Sequence, residues 1–121
     1  MKEVKMGVIE SQFADIIWEH EPVSTTELVK IAEQEFGWKI TTTHTVITRL
    51  CEKGLFQKKS RIVTSCISRE EYYAKQSRQF VNETFNGSLP AFIAAFTDGK
   101  QLTEEEIKEL QKMIDKAKEV R

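Results

Sequence analysis

Residues 24–61 constrain the fold of this chain more tightly than any other stretch. They run STTELVKIAEQEFGWKITTTHTVITRLCEKGLFQKKSR. Ser24 followed by Glu27 is a capping box, which opens a helix by satisfying its first free N–H groups. Leu28, Ile31 and Ala32, with Phe36 beyond, form that helix's apolar stripe, and Gly37 ends it. After a turn at Trp38-Lys39-Ile40, a Thr-rich second helix starts at Thr41 or Thr42, where a threonine also caps, and stops near Glu52-Lys53 before Gly54. Thr43, Val46, Ile47, Leu50 and Cys51 recur at spacings of three and four, so they form one buried stripe.

The opposite face of this helix is unusual. Thr41, Thr42, Thr45, Thr48 and Arg49 point away from the stripe, with His44 at the flank. Threonine is a mediocre helix former, so short hydroxyls plus an arginine suggest a face built for close approach to another surface. Double-stranded DNA is the leading partner: hydroxyls reach phosphates and base edges, and arginine reads guanine or neutralises phosphate. A solvated helix face is the plainer alternative, and His44 is as consistent with an exposed histidine as with a phosphate or base contact.

The flanking residues extend the pattern. Phe13, Ile16, Ile17 and Trp18 lie near one face of a first helix over 10–20, which Glu21-Pro22-Val23 breaks. Phe56–Ser60 and Ile62–Ile67 are predicted strands, joined by a short basic turn over Lys58–Arg61. Three helices and a β-hairpin in this order make a winged helix-turn-helix domain, assigned to residues 1–67. Between Lys39 and Arg61 the bases Lys39, Arg49, Lys53, Lys58, Lys59 and Arg61 face only Glu52, a local charge of +5 within a chain of net charge −1. A basic face on a near-neutral protein suits a site-specific binder with salt-sensitive affinity. Lys39, Lys58, Lys59 and Arg61 are candidate phosphate contacts, although a charged hairpin tip also protects a sheet edge. Ser24 is foremost an N-cap that can also meet phosphate. Trp18 and Trp38 are packing residues, Trp38 with a lesser claim to a DNA-backbone contact.

Residues 68–121 have a different character. Ser68 with Glu71 and Thr103 with Glu106 are further capping boxes, and Ser88 caps the apolar run LPAFIAAF between Asn86-Gly87 and Asp98-Gly99. Ile107, Leu110, Met113, Ile114 and Ala117 form an amphipathic stripe on the last helix. A module this small cannot readily bury Phe85, Leu89, Phe92, Ile93, Phe96, Leu102 and Ile107 by itself. A second copy is the simplest cover, so Phe85, Leu89, Phe92, Ile93, Phe96, Ile107, Leu110, Met113 and Ile114 are assigned to a helical dimerisation module. The whole is a mainly α homodimer, with two recognition helices about one DNA turn apart.

Other chemistries find little support. His20 and His44 are the only histidines, neither pairs with a cysteine as in a catalytic dyad, and no Gly-rich phosphate loop is present. Cys51 and Cys66 match no zinc spacing; Cys51 continues the buried stripe and Cys66 falls in the second strand. No enzyme, metal, cofactor or disulfide is expected. No apolar run approaches the roughly 18 residues of a membrane span, and the N-terminus lacks a signal-peptide core, so a cytoplasmic protein without membrane insertion is expected. A winged helix serving protein–protein assembly, without specific DNA binding, is the competing class.

Taken together, Trp38, Thr42, Thr45, Thr48-Arg49-Leu50 and Lys53-Gly54 resemble the recognition region of the penicillinase-repressor family, of BlaI/MecI type with a copper-responsive CopY branch. Ile16-Ile17-Trp18, Val23-Ser24, Ser68-Arg69-Glu70-Glu71-Tyr72, a Phe-rich segment and an acidic-capped last helix fall in matching order from about residue 8 onward. The resemblance implies a homodimeric repressor on a pseudo-palindromic operator. It also implies, as in the antibiotic-resistance members, a membrane sensor of β-lactam or another cell-envelope signal and a regulatory protease. The cleavage it implies lies before a Phe in Phe92–Phe96, at Ala95–Phe96. The chain departs from the family in its wing, Lys59–Cys66, which lacks the frequent Gly-Arg and Tyr. It departs from the copper branch in having no cysteine after Cys66.

Overall fold

The computed structural model describes residues 6–119. The elements follow the order α1 (Val8–His20), β1 (Val23–Ser24), α2 (Thr25–Phe36), α3 (Ile40–Glu52), β2 (Phe56–Lys59), β3 (Ile62–Ser65), α4 (Arg69–Thr84), α5 (Leu89–Phe96) and α6 (Glu104–Glu119). The chain divides into two compact units, the first ending at Ser77 and the second starting at Arg78. The division falls inside α4, not ahead of it at Ile67/Ser68. The physical reason is Tyr72, which α4 contributes to the core of the first unit.

That core gathers the apolar stripes of α1, α2 and α3 around the hairpin. Phe13, Ile17, Leu28, Ile47, Leu50, Phe56 and Val63 are all essentially inaccessible to solvent, and Thr43 is buried with them. Ile31 and Cys51 are only half-buried, because they lie at the margins of their stripes. Trp18 packs 5.0 Å from Phe56 and 5.9 Å from Tyr72, centroid to centroid. Its indole N–H donates to the Ile67 carbonyl at 2.9 Å, tying the exit of the hairpin to α1.

The sheet holds one strand more than the sequence pattern suggests. β1 is only two residues long and pairs antiparallel with β3, Val23 opposite Val63 and Ser24 opposite Ile62. The strand order is therefore β1-β3-β2. The segment expected merely to break α1 thus also ties α2 to the wing. Glu21 reinforces the joint, its carboxylate accepting from the Ser65 N–H at 2.7 Å and the Ser65 hydroxyl at 2.8 Å. The strands are shorter than expected: β2 stops at Lys59 and β3 at Ser65, so Cys66 lies past the strand, exposed, with its N–H donating to the Leu55 carbonyl. Both cysteines are free thiols.

Ser60 and Arg61 form the two-residue hairpin loop with φ of 50° and 64°. Positive φ at both positions belongs to the tight primed turns whose twist matches paired strands. Neither residue is glycine, so the conformation carries a cost on the order of 1 kcal/mol per residue. A compensating contact is at hand: the Arg61 carbonyl accepts the Thr25 N–H at 2.9 Å, joining the wing tip to the start of α2.

The Ser24 hydroxyl accepts the Glu27 N–H at 3.0 Å, as its position predicts. Ser24→Ala is expected to cost about 1 kcal/mol of stability, visible as a lowered urea midpoint at unchanged slope. A change of under about 0.3 kcal/mol would show the cap to be dispensable.

The second unit is built from the end of α4 with α5 and α6. Phe80, Phe85 and Phe92 form a triangle of edge-on rings with centroids 5.6–6.0 Å apart. Ser88 caps α5 through the Ala91 N–H. Thr103 and Glu106 complete a reciprocal capping box at α6, the Thr103 N–H donating to the carboxylate at 2.9 Å and the Glu106 N–H to the hydroxyl at 3.1 Å. These bonds from Thr103 hold the Glu106 carboxyl below the usual range. No residue of α5 or α6 is fully buried.

Candidate nucleic-acid interface

α3 turns its stripe of Thr43, Val46, Ile47 and Leu50 into the core. Thr41, Thr42, His44, Thr45, Thr48 and Arg49 consequently stand exposed together, as the spacing predicts. The start of the helix differs from expectation. It begins at Ile40 with Lys39 as N-cap and has no side-chain cap, so neither Thr41 nor Thr42 performs that role. The first-turn N–H groups are left for solvent or a ligand, and the first turn has no acidic residue to oppose an anion.

The threonine hydroxyls are also engaged differently from the simple expectation of outward donors. Thr45 donates to the Thr41 carbonyl and Thr48 to the His44 carbonyl, each at 2.9 Å. Thr43, buried, donates to the Lys39 carbonyl at 3.3 Å. Such back-bonding one turn upstream is the local alternative open to Ser and Thr within helices.

A cleft of about 500 Å³ runs between α2, the start of α3 and the wing, lined by Thr25, Thr26, Val29, Lys30, Ile40, His44, Lys58 and Arg61. It brings His44 together with two of the predicted wing cations. Lys58, on β2, also borders a groove with Ile47, Thr48, Cys51 and Glu52, which places it beside α3. Burial pushes the Cys51 thiol up, with Lys58 opposing the shift.

Among the described residues, no ion pair or side-chain hydrogen bond engages Lys39, Arg49, Lys58, Lys59 or Arg61. Lys53, counted with the basic face in the sequence, instead pairs with Glu10 of α1. Ser24 is occupied as a cap. Sequence reasoning overlooked Thr26, Lys30 and Ile40. Thr26 and Lys30 are four apart on α2, on the wing side of the Ser24 cap, and that spacing was the available signal. Ile40, 60% exposed, was taken for part of the turn.

The residues assigned to dimerisation behave as an unpartnered apolar face. Leu89, Ile93, Phe96, Ile107, Leu110, Met113 and Ile114 are exposed, while Phe85 and Phe92 are half-covered by the aromatic cluster. Phe92, Ile93, Phe96, Leu102, Leu110 and Met113 line an apolar cleft of about 300 Å³ between α5 and α6. Ala95 and Phe96 are exposed at the last turn of α5. Among the described residues no helix is long and apolar enough to cross a membrane, and no cluster of metal-ligating side chains occurs.

Three helices, a hairpin wing and an unpaired basic face beside the second helix of a helix-turn-helix pair define a winged helix-turn-helix protein. The chain matches the penicillinase repressor family over residues 6–116 and belongs to it. It is similar to a penicillinase repressor of Bacillus licheniformis, 30% identical over 123 residues that cover 98% of this chain and 96% of the relative. It is also similar to the methicillin resistance regulatory protein MecI of Staphylococcus aureus (strain Mu50 / ATCC 700699), 26% identical over 119 residues, 95% of this chain and 97% of the relative. Among solved structures, the DNA binding domain of the repressor BlaI matches with a TM-score of 0.50 and 27% identity, covering 60% of this chain and 94% of that one.

Proposed function

We propose that this chain is a DNA-binding transcriptional repressor that acts as a homodimer on a pseudo-palindromic operator. The observation that carries the reading is the uncapped, exposed Thr/Arg face of α3 beside the unpaired cations Lys58 and Arg61, in a member of the penicillinase-repressor family. The residues proposed to meet DNA are Lys39, Thr41, Thr42, His44, Thr45, Thr48 and Arg49 from α3 and its cap, with Lys58, Lys59 and Arg61 from the wing. Ser24 contributes through its cap at the start of α2. Phosphate contacts set the register of the helix on the duplex, and α3 reads base edges in the major groove.

The exposed stripe of α6 and the α5–α6 cleft support pairing of two copies through the second unit. The dimerisation module, expected over 68–121, then starts within α4 at Arg78, and the DNA-binding module, expected over 1–67, extends through the first turns of α4 to Ser77. Derepression follows cleavage at Ala95–Phe96 by a regulatory protease, on a signal from a membrane sensor of β-lactam or other envelope stress. The bond lies at the exposed end of α5, where a turn of helix unwinds at small cost before Gly99.

A mobility-shift titration of the full chain tests the reading, using a duplex recovered by selection from a random pool. A dimer using five cations per protomer gives a slope of log affinity against log salt approaching about −9. Arg49→Ala is expected to cost about 1–3 kcal/mol on the selected duplex if Arg49 reads guanine in bidentate fashion. An equal loss on every duplex would make it a phosphate contact. No specific shift at any salt would overturn the repressor reading and favour a protein-docking winged helix.

A further inference from the structure

We infer that α3 selects its half-site through thymine 5-methyl groups packed against the γ-methyls of Thr45 and Thr48, not through donated hydroxyl hydrogen bonds. The inference rests on the DNA-binding reading above and concerns how that face reads sequence. With Val46, Ile47 and Leu50 facing the core, helical geometry sets Thr41, Thr45 and Thr48 along the centre of the outward face. Such central side chains lie deepest when a helix enters the major groove. The hydroxyl protons of Thr45 and Thr48 already sit on the carbonyls of Thr41 and His44, both at 2.9 Å.

A hydroxyl has a single proton to donate. To hand it to a phosphate or to a guanine or thymine oxygen, each threonine must first break a well-formed bond to its own helix. With the oxygen folded back against the turn, the remaining substituent on Cβ is the γ-methyl. The face therefore offers methyl groups and oxygen lone pairs, and no free proton from these two residues. In the major groove only thymine carries an apolar group. Ile40, 60% exposed at the first residue of the same helix, adds a bare apolar side chain on the flank toward α2 and the wing rather than on the centre of this face. The N-terminal residues of recognition helices meet base edges, and a large apolar side chain there has no favourable phosphate contact to make. The wing cations Lys58 and Arg61 then serve affinity and register, while methyl packing contributes to sequence choice.

The experiment replaces each thymine of the selected duplex, one at a time, by deoxyuridine, which deletes only the 5-methyl. Binding of the full chain is followed by fluorescence anisotropy. At two or more positions per half-site the affinity is expected to fall about three- to fivefold, the effect of one buried methyl group. Thr45→Val and Thr48→Val keep the methyl and lose the hydroxyl, with little change in helix propensity; both are expected to bind within about twofold of the parent chain. Thr45→Ser keeps the hydroxyl and loses the methyl, and is expected to lose about three- to fivefold together with its sensitivity to deoxyuridine at one position. Full binding by Thr45→Ser with weakened binding by Thr45→Val would overturn the inference in favour of hydroxyl readout. Indifference to deoxyuridine at every position, on a duplex bound specifically, would overturn it while leaving the repressor reading intact. Absence of any specifically bound duplex would overturn both.

Discussion

Ending the chain after Ala95 is expected to convert the protein from dimer to monomer at micromolar concentration and to weaken operator binding by about 10²- to 10⁴-fold. The truncation removes Phe96 and all of α6, and with them Ile107, Leu110, Met113 and Ile114, whose exposures run from 36% to 62%. Side chains of this kind each contribute roughly 1.5–3 kcal/mol when taken fully out of water, and correspondingly less from a half-covered start. Several on each protomer are therefore needed to outweigh the cost of association, about 4–15 kcal/mol. The remaining winged unit should stay folded, because the buried residues of its core run from Phe13 to Tyr72 and are all retained. Sedimentation then measures association, circular dichroism checks the fold, and anisotropy on full and half operators measures avidity. Binding to an isolated half-site should be unchanged while binding to the full palindrome collapses towards it. A truncated chain that still sediments as a dimer would remove α6 from the interface. The same fragment is what cleavage at Ala95–Phe96 would leave, so the experiment also measures how far such a cut could derepress.

Local chemistry made most of the architecture legible. Ser24, Ser68, Ser88 and Thr103 each mark a helix start, and all four hydroxyls accept the N–H three residues on. The stripe of α3 follows from spacing alone, since Thr43, Val46, Ile47 and Leu50 can share a face only if the segment is helical. What escaped the sequence is what depends on distant partners. β1 is two residues of no particular strand character, made a strand by pairing with β3 some forty residues on. A short turn was legible at Lys58–Arg61, but Ser60-Arg61 carries no glycine, the usual mark of positive φ, so its two-residue primed geometry was not. Tyr72 looks like one more residue of α4 until Trp18 is seen beside it.

The candidate site divides in the same way. Which α3 residues are exposed was readable, because helical periodicity decides it. Which groups remain free was not. Lys53 is drawn off to Glu10 across the fold, and two threonine protons are drawn back onto the helix. Both outcomes depend on side-chain geometry that residue types do not specify.

Phe13→Ala is expected to destabilise the winged unit by about 3–5 kcal/mol, the range for deleting a buried aromatic ring. Phe13 has no solvent exposure, and its ring lies 5.2 Å from Trp38 and 6.3 Å from Phe36, centroid to centroid. Against a total stability of about 5–15 kcal/mol for a domain of ordinary size, that loss is large enough to leave a substantial unfolded population at 37 °C. The midpoint of thermal unfolding should fall by more than about 10 °C. The consequence for function runs through Trp38, which sits against Phe13 and Phe36 and directly precedes Lys39 and Ile40, the cap and first residue of α3. Phe13→Leu keeps most of the volume and is the variant that separates folding from positioning. It should remain folded, with a smaller loss in melting temperature, yet bind the operator more weakly because the start of α3 is less firmly held. Tryptophan fluorescence during urea unfolding reports stability, and anisotropy at a temperature where both proteins are folded reports affinity. A Phe13→Ala chain melting within about 2 °C of the parent would mean that the ring is not a keystone of this core. Unchanged operator affinity in Phe13→Leu would mean that α3 is held by the buried stripe of Thr43, Val46, Ile47 and Leu50 alone.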